Sequence, residues 1–329
     1  MADNGNRERR AKRLAERAEA ERRAAEQRAR DRRQQTIIGV VVAVVAVVLV
    51  AVGGFAIWRS THQQQAGDTT VSKTSSQSAY AELQAVKTKP GKADDQGGIS
   101  VSKNGYDDPV EGVPTVAIYM DFMCPGCGEL NRSLDQDLVT MMDAGQINLD
   151  LHFMTFMDRL TQGDEYSIRA ANVALAITEE DPDPSHLFAY MENLYAKDFQ
   201  PDELDYQPVS DEQIREQARD AGVTEDVIDS GLERNYDDWL LAVNTYTPTR
   251  TELIAPGQSG MSTPTMTING YYWNFHEAQS EIQEKEGADK ATLINALLDS
   301  IGLPRDDMGK AGMLPSIGAD GKPLLGYSE

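Results

Sequence analysis

The stretch from Thr115 to Phe153 leaves few folds open to this chain. Its first part, TVAIYMDFM (Thr115 to Met123), is a nearly unbroken apolar run, as a central strand buried on both faces would be. The run ends at Cys124. Apolar residues then recur at steps of three and four, through Cys127, Leu130, Leu134, Leu138, Met141 and Met142, with Gly145 placed as a C-terminal stop. In INLDLHF the period changes to two: Ile147, Leu149, Leu151 and Phe153 share one face, and Asn148, Asp150 and His152 the other. Strand, helix and strand in that order predict a right-handed βαβ unit within an α/β fold. Its strand-to-helix turn, CPGC, holds Cys124 and Cys127, the only two cysteines among 329 residues.

Upstream lies TIIGVVVAVVAVVLVAVGGFAIW, Thr36 to Trp58, without a charged residue. At about 1.5 Å per residue, some 22 apolar residues cross a hydrocarbon core about 30 Å thick. A core helix would not be Val-rich all round directly behind an Arg-rich arm. The run also exceeds the roughly 7–15 residues of a signal-peptide core, and no A-x-A site follows it. It reads as an uncleaved transmembrane signal anchor, residues 36–58, with Trp58 at the interface. Residues 1–35 carry 12 Lys/Arg against 7 Asp/Glu, so the positive-inside rule keeps this basic arm cytoplasmic and places the rest of the chain outside. Its Glu-to-Arg pairs at helical spacing suit a solvated helix. The whole chain has a net charge of −22, so everything beyond the arm is strongly acidic. Such a body repels phosphate backbones, which argues against a nucleic-acid partner.

Residues 59–98 are rich in Ser, Thr, Gln, Lys and Gly and read as a flexible extracytoplasmic stalk, with room for a short helix at SAYAELQAV. The folded domain is expected over residues 99–303. GISVSKNG suits a first edge strand. A helical block of about residues 158–250 follows the βαβ unit, with helical spacing in SIRAANVALAI, SHLFAYMENLY and SDEQIREQARDAG. Ser210 and Gln213 form a capping box, and Thr224 is placed to cap EDVIDSGL. TMTI and YYWNF read as strands joined by an Asn269-Gly270 turn, and Asp289 to Gly302 as a final helix. The Gly/Pro-rich residues 304–329 read as a loose tail.

Outside a membrane, thiols meet an oxidising compartment. A C-x-x-C bridge closes too short a loop to stabilise a domain this large, so chemistry explains the pair better than architecture. A zinc site needs about four ligands, and the sequence has neither a second C-x-x-C nor a histidine motif. Haem attachment would need His where Gly128 stands. A thiol reacts as its thiolate, and a helix N-terminus favours that anion. Cys124 is therefore the candidate attacking thiol and Cys127, one turn into the helix, the resolving one. Pro125 suits the first turn, Gly126 leaves the approach open, and Phe122 and Met123 are candidates for an apolar surface that takes a substrate chain.

DFMCPGC after an apolar strand, the helical block beyond the βαβ unit, and STPTMTING far downstream together resemble the DsbA-like thiol-disulfide oxidoreductases of bacterial envelopes, within the thioredoxin superfamily. The resemblance covers about residues 99–303. It implies a thioredoxin-like fold with a helical insertion, preceded here by one transmembrane helix. It implies no cofactor, a cis Thr263-Pro264 bond facing the cysteines, and a Thr263 backbone that pairs with substrate. The implied partners are exported cysteine-containing polypeptides and a quinone-linked membrane oxidase that reoxidises the dithiol. Two departures stand out. Gly126 replaces the histidine that the strongest oxidants carry between their cysteines, and Ile118 stands where many relatives have a buried acid, six residues before the first cysteine. Asp121 reads as a hydrogen-bonded strand-end carboxylate rather than a proton carrier. The expected activity is disulfide formation in exported chains by a single-pass protein of the cell membrane. Its rivals are a reductase or isomerase supplied with electrons across the membrane, and a tethered peptide-binding chaperone with incidental thiols.

Overall fold

The computed structural model describes residues 70–317 and 320–327. The basic arm, the signal anchor and the stalk as far as residue 69 lie outside the described residues. Among the described residues no helix is long and apolar enough to cross a membrane.

Helix α1 (Thr70–Ala85) leads into strands β1 (Ile99–Ser102), β2 (Gly105–Tyr106) and β3 (Thr115–Met120). Helix α2 (Pro125–Asp143) and β4 (Asn148–Phe153) complete the expected parallel crossover, with Val116 level with Leu149 and Met120 with Phe153. As the spacing predicts, Gly145 ends the helix at a φ of 70°, where its N–H reaches the Met142 carbonyl. After a 3₁₀ turn (Phe156–Leu160) come α3 (Tyr166–Glu180), α4 (Pro184–Leu194), α5 (Asp211–Asp220), α6 (Glu225–Leu232) and α7 (Asp237–Tyr246). The chain then returns to the sheet as β5 (Thr265–Ile268) and β6 (Tyr271–Tyr272), and ends in α8 (Phe275–Glu286) and α9 (Leu293–Ile301). The six strands lie in the order β2-β1-β4-β3-β5-β6, with β3 in the middle.

The register sorts the sheet into two unlike faces. Val116, Ile118, Met120, Leu149, Leu151, Phe153, Met266 and Ile268 share one face, and all join the hydrophobic core with Leu130, Leu134, Leu138 and Met141 of α2. Tyr119, Asp150, His152 and Thr267 share the other, which is polar; Tyr119, His152 and Thr267 are buried there and Asp150 is partly exposed. There Tyr119 stacks on His152 with ring centroids 4.0 Å apart, and Arg250 donates to the Tyr119 hydroxyl at 3.0 Å. So β3 is buried on both faces, as its composition suggests, but by different chemistry on each.

The helical block has its own centre. Every residue of α3 from Tyr166 to Thr178 is buried, which is why its sequence is apolar or small nearly all round. Gly231 of α6 lets the two helices close up, because a Cβ there would stand 2.6 Å from the Val173 Cα. Ser210 and Gln213 form the expected capping box on α5. Thr224 occupies the N-cap of α6 without making a side-chain cap bond.

Three readings need correction. The latter part of the stalk is docked rather than loose. Ala79 and Leu83 of α1 are buried, Tyr80 packs on Tyr246 of α7 and donates to Asp95 at 2.7 Å, and Asp94 ties the loop through the Gln96 and Gly98 amides. Composition hid this because two apolar residues four apart suffice for one helix face. Secondly, YYWNF is a strand for only two residues; Trp273 turns into the core, with its indole N–H on Ser300, and Phe275 opens α8. Thirdly, the tail is pinned. Buried Gln146 donates to the carbonyls of Asp307 and Met313, each at 2.8 Å, and accepts the Gly309 amide at 2.8 Å. Replacing Gln146 with Ala strands those groups and is expected to cost about 2–4 kcal/mol, read by urea unfolding. The same variant should open residues 304–317 to proteolysis.

Candidate active site

The sequence places both thiols where β3 hands over to α2. Cys124 is the N-cap of α2, and Pro125 takes the first helical position, where a missing N–H costs nothing. The Cys124 amide donates to Asp121 O at 2.9 Å, and its carbonyl accepts the Gly128 amide at 3.1 Å, so the turn is closed from both sides. Both cysteines are free thiols. Cys124 keeps a little surface, whereas Cys127 lies deeper, one turn on.

Their acidities are split accordingly. The Cys124 thiol is brought down to about 6, chiefly by hydrogen bonding from Cys127; burial opposes this, and the N–H groups of Cys127 and Gly126 assist. The neutral Cys124 thiol also donates to the Thr263 carbonyl at 3.3 Å, a contact it gives up with its proton. Burial and the neighbouring Cys124 push Cys127 well above the usual thiol range. One thiol is thus an anion near neutral pH and the other holds its proton, the division of labour that an attacking and a resolving cysteine need.

The Thr263-Pro264 bond is cis, and the Pro264 ring faces Gly126 across the site. A Cβ at Gly126 would lie 3.0 Å from Pro264 Cδ and 3.8 Å from the Cys124 sulfur, so the glycine keeps this gap open. A groove of about 550 Å³ runs along the thiol side, lined by Cys124, Phe156, Met157, Pro248, Met261 and Thr263, with Arg159 and Glu203 at its rim. On the far side of Pro264 a second hollow of about 270 Å³ is lined by Leu130, Phe275, His276 and Leu293.

Cys124, Cys127, Pro125, Gly126, Thr263 and Pro264 therefore converge. Phe122 and Met123 do not belong to a substrate surface: both are buried, and Phe122 stacks on Phe153 and packs against Tyr190 and Tyr195. The apolar lining comes instead from Phe156, Met157, Pro248 and Met261, which no local pattern tied to the cysteines.

Sequence reasoning also undervalued Asp121. Its carboxylate is fully buried and accepts from the Met123 amide at 3.0 Å, the Met157 amide at 2.9 Å and the Ser167 hydroxyl at 2.6 Å. Its own amide donates to the Cys127 sulfur at 3.5 Å. It does bond at the strand end as expected, but it is also a buried acid beside the thiols, three residues before Cys124 rather than at Ile118. The available signal was a lone charge inside a run otherwise apolar from Val116 to Met123. Burial pushes its carboxyl up to about 7 against those three donors.

Alkylation of the reduced protein should label Cys124 with a midpoint near pH 6 and leave Cys127 unlabelled, as peptide mapping would check. A carboxyl raised in the fold lends stability below its unfolded value, near 3.8, and that stability is lost as pH rises through about 7. The urea midpoint is therefore expected to fall between pH 4 and 7, with Asp121 contributing on the order of 2–4 kcal/mol. Asp121→Asn should flatten part of the fall, because Asp135 and Asp158 are raised into the same range. The acceptor that Asn lacks shifts the whole curve without changing its slope.

A thioredoxin family model matches residues 111–285, just over half the chain. The serine/threonine-protein kinase PknE of Mycobacterium tuberculosis is 29% identical over 89 residues, which make up 27% of this chain and 16% of the kinase. The chain thus spans about a sixth of the length of that curated relative. Among solved structures, reduced DsbA from Mycobacterium tuberculosis is 24% identical with a TM-score of 0.45, covering 60% of this chain and 99% of that one. DsbG from the same organism is 24% identical with a TM-score of 0.44, covering 64% and 98%. MdbA, a thiol-disulfide oxidoreductase from Corynebacterium matruchotii, is 18% identical with a TM-score of 0.45, covering 61% and 94%.

Proposed function

The chain belongs to the thioredoxin family, and from that premise we propose that it is a DsbA-type thiol-disulfide oxidoreductase that forms disulfides in exported, unfolded polypeptides through Cys124 and Cys127. The observation that carries this reading is the split between the two thiols at one helix end. The more accessible one is acidic and faces a groove, while the deeper one keeps its proton.

In the working state the two sulfurs are bridged. A substrate thiolate attacks Cys124 Sγ, the Cys124–Cys127 bond breaks, and its electron pair leaves on Cys127, which takes up a proton. A second substrate thiolate then attacks the substrate sulfur of the mixed disulfide and expels the Cys124 thiolate. Two electrons pass from the substrate dithiol to the pair. The lower the leaving thiol's pKa, the faster it leaves, and stabilising the reduced form makes a disulfide more oxidising. A Cys124 thiol near 6 favours both. The substrate chain lies extended in the groove beside Cys124 and pairs with the Thr263 backbone, its apolar side chains meeting Phe156, Met157 and Met261.

By the same reading, residues 36–58 anchor the protein and hold the catalytic domain outside the membrane, with the arm of residues 1–35 inside. The described residues hold no third cysteine, and the sequence has none. Reoxidation thus needs a partner that acts on the pair directly, by the family resemblance a membrane oxidase.

The test mixes the oxidised protein with a reduced, unfolded peptide carrying two cysteines. Wild type should oxidise the peptide stoichiometrically, Cys124→Ser should abolish the reaction, and Cys127→Ser should accumulate a mixed disulfide at Cys124 on non-reducing gels. A Cys127→Ser protein that traps nothing sinks the scheme. Failure to oxidise, with the dithiol form reducing an oxidised peptide instead, would reverse the direction of electron flow.

A further inference from the structure

The connection between α4 and α5 sends three side-chain donor bonds to the carbonyls of the cysteine loop. The Tyr195 hydroxyl donates to Asp121 O at 3.2 Å. The Gln200 side-chain amide donates to Phe122 O at 3.2 Å and to Cys124 O at 2.9 Å. Gln200 is itself held in place. Its backbone N–H bonds to Ala196 O at 2.8 Å, and its Oε1 accepts from Arg132 of α2 at 3.4 Å. Arg132 also donates to the Tyr195 carbonyl, which fastens this connection to α2. Gly128 makes the room, because a Cβ there would stand 2.1 Å from Gln200 Oε1.

The Cys124 carbonyl has a special need for such a donor. A peptide group ordinarily pairs its negative oxygen with a positive N–H across the same bond. The Cys124–Pro125 peptide has no N–H, so its oxygen is a negative pole, close to the sulfur, with no positive partner of its own. The Gly128 amide answers part of that charge as the first helical bond, and the Gln200 amide answers the rest from outside the helix. The same NH₂ group also draws in the Phe122 oxygen, one residue before Met123. Each carbonyl so engaged repels a thiolate less, and the amide hydrogens add positive potential beside it.

We propose that Gln200 is a positioning residue that sets the acidity of Cys124, and through it the redox poise of the pair, by engaging the Cys124 and Phe122 carbonyls from the helical insertion. The proposal rests on Cys124 being the attacking thiol. Gln200 touches no reacting atom. It acts through the two carbonyls, and Gly128 and Arg132 act through it.

The test follows the pH dependence of Cys124 alkylation in the reduced protein, without substrate, for wild type, Gln200→Leu and Gln200→Glu. Thermal melts establish that each variant folds. Leu keeps the bulk and loses the donor; alkylation at about pH 5, below the midpoint, is expected to slow about fivefold, the scale of one net hydrogen bond. Glu places a carboxylate against two carbonyls and should slow it further, with the equilibrium in glutathione buffers moving towards the disulfide in the same order. Gly128→Ala leaves Gln200 intact but pushes its amide away, and should reproduce the Leu result in part. A folded Gln200→Leu protein with the wild-type alkylation midpoint overturns the proposal, as does Gly128→Ala with that midpoint should the Leu variant fail to fold. A wild-type Cys124 that titrates like an ordinary thiol would instead overturn the reading of the pair itself, which keeps the two failures apart.

Discussion

The antiparallel register of β5 on β3 is the constraint on which the site depends. Tyr119 is level with Thr265 and Val116 with Ile268. The chain entering β5 must therefore pass the end of β3, where the cysteine loop begins. That pairing, and no local signal, brings the Thr263 carbonyl to 3.3 Å from the Cys124 sulfur across 139 residues. A loop that long costs entropy to close, though the cost grows only slowly with length. The insertion offsets it with a core of its own, built round α3, the most thoroughly buried helix of the fold.

The insertion is therefore more than a cover. Ser167 in the first turn of α3 donates to the Asp121 carboxylate, the Met157 amide in the preceding 3₁₀ turn does the same, and Tyr195 and Gln200 reach the loop carbonyls. A strand end, a proline at the first helical position and a buried carboxylate together leave several polar groups without partners inside βαβ geometry. Left unsatisfied in the interior, each would cost more than a typical hydrogen bond returns. The helical block supplies the missing partners, so the cysteine turn and the insertion fit together as one polar network with an apolar surround. Phe122 and Met123 belong to that surround, filling the space between the strand end and α4 rather than meeting substrate.

What could be read from sequence follows the distance over which each signal acts. The βαβ unit, the stop at Gly145, the capping box at Ser210 and the Asn269-Gly270 turn are all local patterns, and the structure carries each of them. The placement of the two cysteines at a helix N-terminus was legible for the same reason, since a strand-to-helix turn is a short-range pattern. Features built from distant partners were not. Nothing in SAYAELQAV announces Tyr246, nothing in the tail announces Gln146, and nothing near residue 200 announces a carbonyl at residue 124. Asp121 lies between these cases. Its place at the end of an apolar strand was visible, but two of its donors come from residues 157 and 167, which no local pattern tied to it.

The polar face of the sheet shows how the same strand serves two purposes. Odd-numbered residues of β3 meet Asp150, His152 and Arg250, while even-numbered ones meet the core beneath α2. Arg250 lies just beyond α7, so its hydrogen bond to Tyr119 ties the far end of the insertion to the middle of the sheet. Asp150 is drawn below the usual carboxylate range despite its burial, by His152 and then Arg250, and so keeps a charge there. The insertion is thereby fixed at two points near the C-terminal end of β3: at Tyr119 through the Arg250 guanidinium, and just beyond the strand at Asp121 through its carboxyl group. These two attachments, two residues apart along the chain, hold the helical block in register with the cysteine turn. The short distances at Cys124 depend on that register as much as on the thiols themselves.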